Sequence, residues 1–369
     1  MTACGSSIAL PIAAPSPSPA GADSPAADLR THTDLLLGEH TFTIAKLAVA
    51  AAAGRKDEFH SYAGALAANG GDITTLMRSA LGETVGAQFG QAWMAGNNYF
   101  VDYLVAAVTH DKAKEDAATS GLSGTYVPQM TALLTSSLSL TAEQAALMGA
   151  DQVEGLKQII DDAVSSGFAA LYDHLQSAYA KAIRAGDQLA AAIVSRFADR
   201  LPGDAQSKAA AFRSGLDSLL LSQAYLMTMS SDAALTGTAA QQIAASRALA
   251  QNASSLEALF GAVFGTAAGT EFGSVWNREA LLLVAYAKSG DPGIRQNAIN
   301  VAAPPLGTGQ IFGPDLTVEI TATLQAVDDQ RARSFDKLAD DDRSAATQLA
   351  AAGDTVTDVA LRQEPNKFT

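Results

Sequence analysis

The sequence predicts an all-α protein made of two tandem, degenerate four-helix, up-and-down bundle units joined by long helices. Three observations support this prediction. The 369 residues are 48% hydrophobic and only 6% aromatic, with much of the apolar content in alanine, a composition typical of closely packed helices. Apolar residues recur at the spacing of a helical face. One sequence pattern also occurs twice along the chain.

The repeated pattern is the strongest of these signals. The motif G-x-x-x-G-x-x-F-G-x-x-W occupies residues 82–93 and again residues 265–276, an offset of 183 residues. Residues 65–69 match 248–252 at the same offset, and residues 35–37 match 219–221 one residue out of step. Residues 126–131 resemble 312–317 at an offset of 186, which pairs Pro128 with Pro314. We therefore expect copy one over residues 30–165 and copy two over residues 215–353.

The first helix of copy one is predicted from Leu37, His40, Ile44 and Leu47, which fall on one helical face, and it should end near Gly54. Phe59, Tyr62 and Leu66 define the apolar face of a second helix, and Asn69-Gly70-Gly71 is expected to interrupt it. Gly82 should precede a third helix that carries Trp93, and Pro128 should open a fourth.

A long helical connector is expected over residues 166–214. Thr141 and Gln144 have the spacing of a capping box, which would open a helical stretch toward Arg184. Pro202-Gly203 should break the chain, and Asp204 is placed to cap the helix that leads into copy two. Residues 354–369 are expected to form a C-terminal tail.

Residues 1–29 are predicted to be a disordered tether. From Ser6 to about Asp28 the chain is mostly Pro, Ser, Ala and Gly, a composition that does not bury a core.

The only cysteine, Cys4, stands in Thr2-Ala3-Cys4-Gly5. This short segment resembles the end of a bacterial lipobox, the motif in which lipoproteins carry their lipid-modified cysteine. The resemblance implies that Cys4 is a lipid anchor and that the protein is extracytoplasmic, attached to the bacterial cell membrane. The basic and apolar segments of a lipoprotein signal are missing ahead of Cys4, so this expectation places the true N-terminus upstream of Met1. Otherwise Cys4 belongs to the tail of a cytoplasmic structural protein.

Charge and hydropathy exclude two classes of interaction. A net charge of −14 repels polyphosphate, and no run of Lys or Arg is longer than Arg55-Lys56, so nucleic acid is not an expected partner. The longest apolar runs, such as residues 47–53 and 280–287, are far shorter than the ~20 residues that span a bilayer. We expect the membrane to be reached through the lipid anchor alone.

Five residues of copy one are candidate ligands for Zn, Cu or Fe, because helical bundles hold these metals with histidines and carboxylates. They are His40, His60, His110, Glu39 and Glu58. No Glu is followed by His three residues later, which disfavours a ferritin-like site. The repeat places Ala224 opposite His40 and Ile243 opposite His60, so the metal site would belong to copy one alone. The alternative is that His40 is a core residue and that His110 complements a helix dipole.

The sequence contains no recognisable catalytic motif: a nucleophile elbow, a phosphate-binding loop and paired zinc-ligand spacings are all missing. The favoured hypothesis is a non-enzymatic, envelope-anchored protein that binds a protein or small-molecule partner, with the groove between the copies as one candidate location. The alternative is a metal-binding or redox bundle that uses the copy-one histidines. No cofactor other than such a metal is expected.

Overall fold

The computed structural model describes residues 21–302 and 313–369. Cys4 and most of the predicted tether therefore lie outside the described residues. The prediction of an all-α protein is confirmed, since the described residues form helices and no strand. The helices are α1 Pro25–Ala52, α2 Lys56–Leu81, α3 Glu83–Thr109, α4 Lys112–Gly121, α5 Val127–Ser137, α6 Ala142–Ser165, α7 Phe168–Arg196, α8 Lys208–Thr236, α9 Ala239–Phe264, α10 Thr266–Ser289, α11 Pro292–Ala302, α12 Gly313–Ala332 and α13 Phe335–Gln363. A π-helical turn, Leu122–Tyr126, joins α4 to α5.

The internal repeat extends over more helices than its sequence landmarks indicate. α1, α2 and α3 correspond to α8, α9 and α10 at the offset of 183, and the same contact marks both copies. Asn69 Nδ2 donates to the carbonyl oxygen of Leu36 at 2.9 Å, and Asn252 Nδ2 donates to that of Leu219 at 2.9 Å. Because these contacts fix the register, His40 corresponds to Gln223 and not to Ala224.

The C-terminal helices repeat at a different offset. α6 and α7 correspond to α12 and α13 at 167 residues, and a left-handed residue joins each pair, Ser166 with φ 60° and Arg333 with φ 56°. Copy one is therefore longer than copy two between its third and sixth helices. At the offset of 167, Pro314 at the start of α12 corresponds to a residue of α6. Pro314 is therefore not the equivalent of Pro128 in α5.

The two copies pack through reciprocal contacts. α1 packs against α8, while α2 of copy one contacts α13 of copy two and α7 of copy one contacts α9 of copy two. Exchanging the copies exchanges these last two contacts, so the described helices are related by a pseudo-two-fold axis that passes between α1 and α8.

α1 is the one helix of the described chain that is long and apolar enough to cross a membrane, judged by length and composition alone. Two thirds of its apolar window (67%) is buried inside the fold. It packs against α2, α7 and α8, so α1 is a core helix in this structure. Because α1 is buried on several sides, its apolar residues are not confined to one face, as they are in a surface helix.

Several helices cross the boundaries expected from the sequence. α1 begins at Pro25, inside the predicted tether, with Ser24 as its N-cap. α7 lies inside the predicted connector but packs as the last helix of copy one. α13 runs to Gln363 through the predicted tail, and its Val356 is fully buried. The described part of each copy therefore holds more helices than the four expected.

Local signals were interpreted correctly at some helix ends and incorrectly at others. The capping box of Thr141 and Gln144 is present at the start of α6. α2 is continuous through Asn69-Gly70-Gly71. A Cβ at Gly70 would lie 2.5 Å from the sulfur of Met94 and 3.3 Å from Asn97 Nδ2, both on α3, so this glycine allows close helix packing and does not end the helix. Ser207, not Asp204, is the N-cap of α8, and its hydroxyl accepts from Ala210 N.

Candidate functional site

A cavity of about 180 Å³ lies inside copy one, bounded by α1, α3, α5, α6 and α7. Its walls are mainly apolar. They include Leu37, Phe89, Trp93, Met130, Leu134 and Leu156. An apolar concavity with a few polar groups is the usual form of a small-molecule site.

The wall formed by the π-helical turn depends on a glycine. Tyr126 packs its ring on Gly96 of α3, where an added Cβ would lie 2.7 Å from the ring. The Tyr126 hydroxyl donates to Gln152 Oε1 on α6 at 2.7 Å. Burial raises the pKa of Tyr126, so the phenol stays protonated and acts as a fixed donor. These contacts hold α3, the turn and α6 around the cavity.

His40 lies in the wall of the cavity that α1 forms. Its Nε2–H donates to Asn97 Oδ1 at 2.8 Å, and its ring centroid lies 4.8 Å from that of Trp93. Burial lowers the pKa of His40 to about 4, and the bond to Asn97 opposes this shift only in part. The imidazole is therefore neutral at physiological pH.

One donor in the cavity wall is unused. The Trp93 side chain is buried, and its Nε1–H has no hydrogen-bond partner among the described residues. A buried indole N–H normally finds an acceptor. A ligand with an acceptor atom would supply one here.

The exposed edge of the cavity is polar and carries cations. Lys181 lines it and forms ion pairs with Asp151 at 2.9 Å and with Glu154 at 3.4 Å. Arg184 also lines it, is exposed, and forms no ion pair within residues 21–302 and 313–369. The free guanidinium is suited to an anionic group at the cavity mouth.

Glu39 belongs to the contact between the copies and not to the cavity. Its carboxylate accepts from Arg343 Nε at 2.6 Å and from Asn69 Nδ2 at 2.7 Å. A second buried cluster lies in the same contact, where Lys46 donates to Asp342 and, at 2.7 Å, to Thr228 Oγ1. The two clusters join α1 and α2 of copy one to α8 and α13 of copy two.

The structure does not bring the five predicted metal ligands together. His40 faces the cavity, Glu39 pairs with Arg343, and Glu58 pairs with Arg55 at 2.5 Å. His60 is exposed near the start of α2, and His110 is exposed at the C-cap of α3 with φ 56°. Across the described ranges, no group of three or more His, Cys, Asp or Glu side chains is placed to hold a metal ion.

Sequence reasoning missed two buried aspartates that occupy equivalent positions in the two copies. Asp34 of α1 packs its carboxylate on Gly186 of α7, and Asp217 of α8 does the same on Gly353 of α13. Burial raises the pKa of Asp34 to about 8. The signal was present as Ala-Gly-Asp at residues 185–187 and 352–354, but at the offset of 167 it fell outside the register of the other landmarks.

Comparisons of the chain with protein-family models, with curated proteins and with solved structures gave no match. The interpretation of the site therefore depends on its own geometry.

Proposed function

We propose that the protein is a non-enzymatic binding protein of the bacterial envelope, anchored through Cys4, whose copy-one cavity holds a small apolar molecule with an anionic group. The observation that carries this proposal is the unpartnered indole N–H of Trp93 in the wall of an apolar cavity. The ligand site lies inside copy one and not in the groove between the copies.

The volume of the cavity limits the size of the ligand. An engineered apolar cavity of about 150 Å³ binds benzene, whereas sites for drug-sized molecules measure about 300–1,000 Å³. A cavity of about 180 Å³ therefore fits a molecule with one aromatic ring or a short alkyl chain. Phe89, Trp93 and Met130 supply the apolar contacts for such a group.

The polar atoms around the cavity set the chemistry of the rest of the ligand. Trp93 offers a donor in the wall, and Arg184 offers a free cation at the exposed edge. Neutral His40 adds no charge. A small aromatic carboxylate satisfies this arrangement, because its ring fills the apolar interior while one carboxylate oxygen accepts from Trp93 Nε1 and the other pairs with the guanidinium of Arg184.

Trp93 provides a direct assay. In a Trp276→Phe variant it is the sole indole of the chain, since the sequence contains two tryptophans. Titration with benzoate should change its emission saturably. Arg184→Gln should weaken benzoate binding about tenfold but leave benzyl alcohol binding unchanged, because only the carboxylate uses the cation. In the matched Trp93→Phe variant, Trp276 should not respond.

Two results would overturn the ligand proposal. One is a linear response of Trp93 to benzoate, without saturation. The other is saturable binding that persists unchanged when Ala145, a buried residue of the cavity wall, is replaced by Phe in a protein that keeps its helical circular dichroism.

The anchor is tested separately. The full chain, expressed in a bacterium behind a lipoprotein signal, should incorporate radiolabelled palmitate, and Cys4→Ser should abolish the label. Absence of label in the parent protein would remove the anchor from the proposal and leave the cavity assay unaffected.

A further inference from the structure

Copy two carries an acidic pair at the place that corresponds to the wall of the copy-one cavity. At the offset of 183, Glu279 of α10 takes the place of Gly96. At the offset of 167, Glu319 of α12 takes the place of Gln152. In copy one these positions hold Tyr126 between them, by ring contact and by hydrogen bond. In copy two they hold two carboxyl groups.

Both glutamates are fully buried, and most of their oxygen atoms have no partner. Thr323 Oγ1 donates to Glu319 Oε1 at 2.6 Å. Glu319 Oε2 and both carboxyl oxygens of Glu279 make no hydrogen bond to the residues that the structure describes. Buried polar atoms are usually satisfied, so three open oxygens in one core indicate a missing partner.

The two carboxyl groups are close enough to interact electrostatically. Burial raises the pKa of Glu279 well above its usual value, and the negative charge of Glu319 raises it further. Burial likewise raises the pKa of Glu319 to about 7, while the hydrogen bond from Thr323 opposes the shift. Two buried carboxylates without a partner cost several kcal/mol, and a bound cation removes that cost.

We propose that Glu279 and Glu319 bind a hard divalent cation of the Ca²⁺ class between α10 and α12. The donor atoms are carboxylate oxygens, which Ca²⁺ and Mg²⁺ prefer over nitrogen or sulfur. Carboxylates that project inward from facing helices are also how helical bundles build metal centres. Thr323 acts as a positioning residue, because its hydroxyl holds Glu319. This site is independent of the copy-one ligand.

Trp276 makes the site observable with Tb³⁺, a luminescent substitute for Ca²⁺. It precedes Glu279 by three residues, so the two side chains lie on the same face of α10. In the full-length Trp93→Phe variant it is the sole indole. Excitation of Trp276 should sensitise Tb³⁺ emission, which should saturate near one equivalent and be competed by Ca²⁺.

Glu279→Gln and Glu319→Gln should each weaken Tb³⁺ binding at least a hundredfold, because each removes one carboxylate. Glu271→Gln is the matched control: this glutamate lies on the same helix but is exposed, and the substitution should leave the emission unchanged. With Trp93 as the only indole, in Trp276→Phe, sensitised emission should be lost.

A second readout does not depend on luminescence. Ca²⁺ should raise the melting temperature of the parent protein but not that of Glu279→Gln, since only a ligand bound to the folded state stabilises it. The proposal is overturned if Tb³⁺ emission does not saturate, if the Gln variants bind as the parent does, or if Ca²⁺ leaves the melting temperature unchanged. Each of these outcomes would mean that the glutamates hold a proton in place of a cation.

Discussion

Replacement of Lys46 by Met should strongly destabilise the protein. The side chain of Lys46 is 4% exposed and that of its partner Asp342 is 1% exposed, so the ion pair is closed to water. Removing one partner of a buried pair costs about 3–5 kcal/mol, because the remaining charge is left uncompensated. Asp342 keeps the hydrogen bond from Tyr62 at 2.6 Å, which places the expected loss near the lower limit, about 3 kcal/mol.

The assay is urea unfolding followed by circular dichroism and by tryptophan fluorescence. A loss of about 3 kcal/mol should also lower the melting temperature by about 4 °C, because an unfolding entropy of about 2.1 cal/mol/K per residue over one cooperative unit of this length gives roughly 1.3 °C per kcal/mol. Lys46 lies in copy one and Asp342 in copy two, so the emission of Trp93 and of Trp276, each measured in a single-tryptophan variant, should shift together.

Two further variants make the test specific. Lys46→Met/Asp342→Leu should recover part of the lost stability, because no buried charge remains. Lys112→Met removes a surface pair whose lysine is 75% exposed, and it should change stability by less than about 0.5 kcal/mol. The reasoning is refuted if Lys46→Met costs under about 1 kcal/mol, or if only one of the two tryptophans reports the shift.

Two other substitutions test the packing and the pH response. Gly186→Ala should cost about 1–3 kcal/mol in urea unfolding, because the new methyl group meets the Asp34 carboxylate, whereas Gly71→Ala, an exposed helical site with open space around it, should be neutral or stabilising by up to about 1 kcal/mol. An equal effect at both sites would contradict the close contact. Burial lowers the pKa of His40 to about 4 from its ordinary 6.5. Between pH 6.5 and pH 4 the unfolded chain therefore binds a proton that the folded chain does not. The free energy of unfolding should fall by about 3 kcal/mol as the pH drops from 7 to 4. His40→Gln, which installs the residue found at Gln223, should remove that part of the acid sensitivity; an unchanged pH profile of the urea midpoint would show that His40 is not buried in its neutral form.

The sequence predicted the helical class and the existence of two copies for physical reasons that are local. Helical spacing of apolar residues and the Phe89/Trp93 landmark, repeated at Phe272/Trp276, are both encoded within one or two turns. The capping box at Thr141 is local in the same way. These features survive divergence because each depends on near neighbours in the chain.

The extent of each copy could not be predicted, because it depends on long-range packing. The connector was expected where α7 lies, because residues 168–196 match residues 335–363 only at the offset of 167, which the other landmarks do not share. The longest match at that offset is the Ala-Gly-Asp segment. The glycine of that segment, Gly186, is required by the carboxylate of Asp34, which is 152 residues away in the chain. A contact of this kind is evident only once α1 and α7 are placed side by side.

The candidate site could be predicted only in part from the sequence, for the same reason. His40 was found as a polar residue on an apolar face, but its cavity is closed by the packing of α5, α6 and α7 against α1 and α3, which no local pattern predicts. The acid pair Glu279/Glu319 was not detected, because the two residues are 40 positions apart and neither belongs to a motif. Their lack of partners is a property of the core and not of either helix.

The reciprocal packing of α1 on α8, α2 on α13 and α7 on α9 gives the chain the kind of self-complementary interface that a two-fold homodimer has. In a homodimer every substitution appears twice, so a change that improves one subunit is imposed on the other. Here both halves belong to one polypeptide, and each substitution alters one half only. Histidine could therefore be kept at position 40 while glutamine occupies 223, and glutamate could enter at 279 while glycine remains at 96. Covalent linkage of the two halves therefore permits an apolar cavity in one and an acidic core in the other.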